Sequence, residues 1–82
     1  QVELLPAAIR DLGHLEAPVH ERVTQKINTL ADEPRPAGVE KLSGRDNRYR
    51  VRVGDYRILY EIHDHRVLVL VARVGHRREV YR

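Results

Sequence analysis

The sequence predicts an α+β domain, a two-helix hairpin packed on one face of a small, mostly antiparallel β-sheet, in the order β-α-α-β-β-β. Three observations carry this. Two amphipathic stretches, each opened by a proline, stand side by side between residues 6 and 31. Two alternating runs meet at Gly54-Asp55, and one apolar run follows at residues 67–74. Helices with an apolar stripe and strands with an apolar face must cover each other, and helices on one side of a sheet is the layer arrangement that does so.

Residues 1–5 are short and apolar-rich at Val2, Leu4 and Leu5, a first strand or the approach to a helix. Pro6 suits the first position of a helix. Ile9, Leu12 and Leu15 then recur at threes with Arg10, Asp11 and His14 between them, which predicts a short amphipathic helix ending near residues 15–17. Pro18 opens the second helix. Val19, Val23, Ile27, Leu30 and Ala31 form its apolar side, opposite Glu21, Arg22, Gln25, Lys26 and Thr29. Pro34 and Pro36 stop it. Residues 37–46 read as a connector with turn chemistry at Gly38 and Gly44, anchored to the core by Leu42.

Residues 48–60 alternate basic with apolar side chains, turn at Gly54-Asp55 and return, the pattern of a β-hairpin with a two-residue loop. That pairing sets Val53 opposite Tyr56, Arg52 opposite Arg57, Val51 opposite Ile58 and Tyr49 opposite Tyr60. One face then carries Tyr49, Val51, Ile58 and Tyr60 and is suited to a core. The other carries Arg48, Arg50, Arg52 and Arg57, with Arg48 across from Glu61 in a structural pairing. Like charges directly opposite on paired strands are destabilising, so Arg52 facing Arg57 points to an anion above them. Guanidinium forks bind phosphate bidentately and stabilise developing charge. The plainer reading is a solvated strand whose arginine stems cover apolar neighbours. His63-Asp64-His65 makes the next turn. Residues 67–74, apolar except for Arg73, read as a central strand covered on both sides and broken by Gly75. Residues 77–81 are a short fifth strand or a tail.

The chain has 82 residues and reads as one domain over 1–82. It has no Cys, which excludes a disulfide framework, a thiolate zinc site and a Cys nucleophile, and fits a reducing compartment. No signal peptide and no bilayer-length apolar run are evident, so the expectation is a cytoplasmic protein without a membrane partner. Residues 1–40 hold 4 Lys/Arg against 7 Asp/Glu, and residues 41–82 hold 11 against 5, giving −3 and +6. A basic half of this kind is an electrostatic footprint for a polyanion.

A second cluster, His76, Arg77, Arg78, Glu79 and Tyr81, follows the apolar strand. Histidine carries protons near neutral pH, tyrosine can position or exchange one, and either arginine can clamp a phosphate. His63 and His65 flank one Asp and lack the further ligands a metal needs. His14 and His20 fall on helix surfaces. There is no Gly-rich phosphate loop and no Ser-His-Asp pattern. With neither Phe nor Trp in the chain, stacking on bases falls to tyrosines or arginine planes.

Taken together, Lys41-Leu42-Ser43-Gly44, the run from Tyr49 to Ile62, and Val74-Gly75-His76-Arg77-Arg78-Glu79-Val80-Tyr81 make the chain resemble the RelE/ParE toxin superfamily of toxin–antitoxin systems, on the RelE branch. The resemblance covers essentially the whole chain. It implies a RelE-like, microbial-ribonuclease-like fold and a ribosome-dependent endoribonuclease that cuts mRNA in the ribosomal A site and inhibits translation. The implied catalytic residues are Arg57, Arg77, Tyr81 and His76, and the implied substrate-binding residues are Arg50, Arg52, Lys41 and Arg78. No cofactor and no metal are implied. The implied partners are a cognate RelB-like antitoxin, the ribosomal small subunit and mRNA, with a toxin–antitoxin heterotetramer able to bind operator DNA. The best-studied kind of RelE has lysines where Arg50 and Arg52 stand, and Ser43 replaces an arginine of some relatives. Arginine effectively never gives up its proton, so proton transfer falls to Tyr81 or His76. Two alternatives stay open, a ParE-like inhibitor of DNA gyrase and a catalytically decayed module that only binds antitoxin.

Overall fold

The computed structural model describes residues 1–42 and 47–76. In chain order they form β1 (Val2–Leu4), α1 (Pro6–Gly13), α2 (Ala17–Leu30), β2 (Glu40–Lys41), β3 (Arg48–Val53), β4 (Tyr56–His63) and β5 (Leu68–His76), with a 3-10 turn at Asp64–Arg66. The strands make one sheet in the order β1-β5-β4-β3-β2. β1 runs parallel to β5, and the other three pairings are antiparallel. The expected α+β layering is present, with both helices on one side of the sheet.

Each helix has a proline in its first turn, where the missing N–H has no helical partner to lose. α2 sends Val23, Ile27 and Leu30 into the core at the expected spacing. α1 differs from expectation. It ends at Gly13, and Ile9 is 58 % exposed while Ala8 is fully buried. A two-turn helix offers little periodicity, and the small Ala8 side chain lets α1 lie close to β5. Leu12 and Leu15 flank the core as expected.

The core joins Tyr49 and Val51 of β3, Ile58, Tyr60 and Ile62 of β4, and Val69, Val71 and Val74 of β5. Burying one aliphatic side chain of the size of Leu30 or Ile58 contributes about 1.5–3 kcal/mol. The Tyr60 hydroxyl donates to the Pro34 carbonyl at 2.7 Å, and burial, with Tyr49 beside it, pushes its phenol up to about 12. Arg35 lies over the Tyr49 ring, 5.3 Å from its centre, and grips Asp64 through two nitrogens at 3.1 and 3.4 Å. These contacts fasten the segment after α2 to the sheet.

That segment then returns as β2, where a connector was expected. Glu40 pairs with Arg50, and Lys41 with Tyr49. Two residues with both side chains exposed carry no apolar alternation, so this fifth strand leaves no trace in the sequence pattern. The strand candidate at residues 77–81 lies outside the described residues. Leu42 is only half-buried, and the connector is anchored by buried Pro36 and by Val39.

The hairpin turns at Gly54 with φ +59°, a conformation that favours glycine. β5 does not break at Gly75 but runs on to His76. Val67, expected in this strand, instead sits before it at φ 51° and is 75 % exposed, an uncommon conformation for a β-branched residue. Among the described residues, no helix is long and apolar enough to cross a membrane.

Candidate functional site

Strand alternation sends successive side chains of β3 and β4 to opposite faces of the sheet. The core takes one set. The other set comes together on the face away from the helices, in the register the hairpin pattern demands. Arg48 pairs with Glu61, Arg50 with Leu59 and Arg52 with Arg57.

The four arginines of this hairpin are not equivalent. Arg48 Nη2 stands 3.4 Å from Glu61 Oε2, and Glu61 also meets His63 Nε2 at 2.8 Å. Arg50 Nε donates to Glu40 Oε1 at 2.9 Å. The Arg50 hydrogen bond and charge, with a smaller contribution from Arg57, hold the Glu40 carboxyl below the usual carboxylate range. Glu40 therefore shares a face with both arginines. Arg52 Nε donates to the Gly54 carbonyl at 3.1 Å. Half-buried Arg57 lies between Arg52 on one side and Gly75 of β5 on the other.

The basic surface continues around the hairpin tip. A groove of about 350 Å³ between α2 and the end of β3 is lined by Arg22, Gln25, Lys26, Thr29, Arg52 and Val53. The Arg22 guanidinium would stand 3.4 Å from a Cβ at Gly54, the residue whose carbonyl holds Arg52. Among the described residues, no carboxylate lies within ion-pair distance of Arg22, Lys26 or Arg52.

The structure thus gathers Arg50, Arg52 and Arg57, and it separates two other expected site residues from them. His76 pairs with Tyr56, one register position beyond the Arg57–Gly75 pair, so it falls on the helix side of the sheet. Its ring meets Tyr56 edge-on at 5.5 Å, in a cleft of about 250 Å³ with Asp11, His14 and Arg73. Lys41 pairs with Tyr49, and alternation turns it from the arginine face as well. The family resemblance sets both beside the arginines, but a motif match along the chain carries no information about strand phase. Arg77, Arg78 and Tyr81 lie outside the described residues, as does Ser43. Nothing in the sequence alone marks Glu40 or Gly75 as neighbours of this site. For Arg22 and Lys26, their four-residue spacing on α2 is the sequence signal for the groove.

Several fixed positive charges on one open face can hold phosphate oxygens and stabilise charge that builds on them, but guanidinium groups do not accept protons. Among the described residues, no group of three or more His, Cys, Asp or Glu is placed to hold a metal ion. Fold and site together define a class, a small α+β domain with a cationic open sheet face. Within that class the chain belongs to the ParE toxin family of type II toxin–antitoxin systems, whose family model matches residues 2–81. Toxin RelE3 of Methanocaldococcus jannaschii is 32% identical over 79 residues, covering 89% of this chain and 85% of the relative. Toxin RelG of Mycobacterium tuberculosis is 32% identical over 82 residues, covering 99% and 94%. The archaeal RelE–RelB complex from Pyrococcus horikoshii superposes with a TM-score of 0.84 at 25% identity over 98% of this chain and 97% of that one. The RelBE2 toxin–antitoxin complex from Mycobacterium tuberculosis gives 0.80 at 31% identity, over 92% and 94%. The chain is a RelE-like toxin of the RelE/ParE superfamily, and its two helices on a five-stranded mixed sheet are the RelE fold.

Proposed function

We propose that this toxin is a ribosome-dependent endoribonuclease that cuts mRNA in the A site. The observation that carries the reading is the gathering of Arg50, Arg52 and Arg57 on one open sheet face, with Arg57 innermost. In the reaction, the 2′-oxygen of a nucleotide bonds to the adjacent phosphorus and the bond from phosphorus to the 5′-oxygen breaks. The 2′-hydroxyl loses a proton and the leaving 5′-oxygen gains one, so the products are a 2′,3′-cyclic phosphate and a 5′-hydroxyl. Arg57 holds the reacting phosphate and neutralises the charge that grows on it, while Arg50 and Arg52 hold the strand on either side. Arg77 and Arg78 are proposed as further phosphate clamps and Tyr81 as the proton carrier. The cleft position of His76 favours Tyr81 over His76 for that role.

The partner proposed is a RelB-like antitoxin, on the strength of the relatives solved as RelE–RelB complexes. A cytoplasmic site of action follows from a ribosomal target. The test is inducible expression with and without the antitoxin, with mapping of mRNA ends. Growth arrest with discrete cuts inside codons is expected, relieved by antitoxin. The matching ParE family model favours one second reading, inhibition of DNA gyrase. Gyrase-linked DNA breaks with intact mRNA would establish that reading in place of the first. Harmless expression without antitoxin would reject both.

A further inference from the structure

β5 changes register against β4 partway along its length. From His63↔Leu68 to Tyr60↔Val71 the pairing keeps one frame, and from Leu59↔Arg73 to Tyr56↔His76 it keeps another. Ala72 is the extra residue of a β-bulge. Such bulges re-aim side chains and are common beside functional sites. Continuing the first frame without the extra residue would set Val74 across from Arg57. With it, Gly75 takes that position, and Val74, 2 % exposed, packs across from Ile58 in the core. The bulge therefore decides that the β5 residue flanking Arg57 has no side chain.

One carboxylate grips the chain just past the bulge. β1 ends at Leu4, and the last bond along that edge runs from the Leu5 N–H to the Val71 carbonyl at 2.9 Å. Beyond it, α1 lies against β5 in place of a strand. Asp11 Oδ2 accepts the Val74 N–H at 2.9 Å and Arg73 Nε at 2.8 Å, while Oδ1 stands 3.3 Å from Arg73 Nη2. Two successive residues are thus tied to a side chain that is only 17 % exposed. Burial alone would raise the Asp11 carboxyl, yet the bonds from Arg73 and Val74 hold it below the usual range. Arg73 itself is 56 % exposed, and an ion pair so placed contributes little by charge alone. The backbone bond to Val74 is the part that reports on strand register.

We propose that Asp11 is a positioning residue, which locks the β5 bulge and so keeps Gly75, and not Val74, beside Arg57 where the phosphate must approach. The functional half of this rests on the endoribonuclease reading. The bulge lock itself does not.

The test uses the full chain with Asp11→Ala, Asp11→Asn and Asp11→Glu. Two readouts are taken, cross-strand NMR contacts of Arg57 and the kcat and KM of mRNA cleavage on ribosomes under multiple turnover. Asp11→Ala is expected to lose the Arg57–Gly75 contact and to lower kcat by at least ~10-fold with KM much less affected, since small misplacements of a catalytic group are costly. Asp11→Asn keeps an oxygen for the Val74 N–H and should restore both readouts to within ~3-fold of the parent, a rescue that loss of charge alone would not give. Should Asp11→Ala fail to fold, Asp11→Glu displaces the carboxylate by one methylene and is expected to show a mixed register and lowered kcat. An unchanged Arg57–Gly75 contact in both Asp11→Ala and Asp11→Glu, or in Asp11→Glu alone if Asp11→Ala is unfolded, would overturn the proposal, as would lost register with full cleavage. If the parent protein cleaves no RNA, the endoribonuclease reading fails, and the NMR contacts still decide the bulge lock.

Discussion

β3 and β4 show two different solutions on their two faces. Toward the helices, Tyr49, Val51, Ile58, Tyr60 and Ile62 are buried. Toward the open side, the same strands carry Arg50, Arg52 and Arg57, and Glu40 of β2 accepts from Arg50. The contrast lies in how charge is met. Arg35, Arg48 and Arg73 each meet a carboxylate and serve the fold, whereas Arg52 meets a backbone carbonyl and faces a second arginine. Like charges in register weaken a strand pair, so the Arg52–Arg57 pairing adds nothing to the stability of a domain this small.

Substitutions on the two faces should separate stability from action. Ile58→Ala removes a fully buried side chain and is expected to cost about 2–5 kcal/mol in urea unfolding. A loss below about 1 kcal/mol would show that the helix-side face is not the stabilising one. On the groove that extends the open face, Arg22→Ala combined with Lys26→Ala should leave the unfolding midpoint nearly unchanged. It should reduce the slope of log affinity for ribosomes against log salt by roughly 0.7–0.9 per lost phosphate contact. An unchanged slope would confine the RNA surface to the sheet. Glu40→Gln removes the carboxylate held by Arg50 and should strengthen ribosome binding a few-fold at low salt, an effect that screening erases at high salt. The smallest effect concerns acid stability. Asp11 has a folded-state pKa below its unfolded value, so its contribution is complete above about pH 4 and is lost as pH falls through the lower folded value. Asp11→Asn should flatten that acid limb in a pH series of thermal midpoints.

The hairpin was legible to the residue because two signals agree there, a Gly-Asp turn and a strict alternation that one face must bury. All the pairings from Arg48↔Glu61 to Val53↔Tyr56 follow from those two facts. The helices were legible through Val23, Ile27 and Leu30, and less so for α1, where eight residues give too few turns to distinguish Ala8 from Ile9. β2 was illegible because Glu40 and Lys41 are both exposed and owe their pairing to β3 alone. The bulge at Ala72 was illegible for a related reason. No residue type marks it, and the carboxylate that accepts the Val74 N–H just beyond it, Asp11, lies 63 residues away in the chain. That one bulge sets the phase of the end of β5, and with it the side of the sheet on which His76 falls. Of the site, the arginine row could therefore be read directly, while its neighbours depended on tertiary contacts.

The most direct measurement compares the parent toxin with Arg57→Ala in single-turnover cleavage of mRNA on purified ribosomes, with thermal unfolding and antitoxin binding recorded on the same samples. A fall in cleavage rate of roughly 10²–10³-fold is expected, as for other lost transition-state donors, with folding and antitoxin binding retained. Cleavage at the parental rate by a folded Arg57→Ala protein would contradict it.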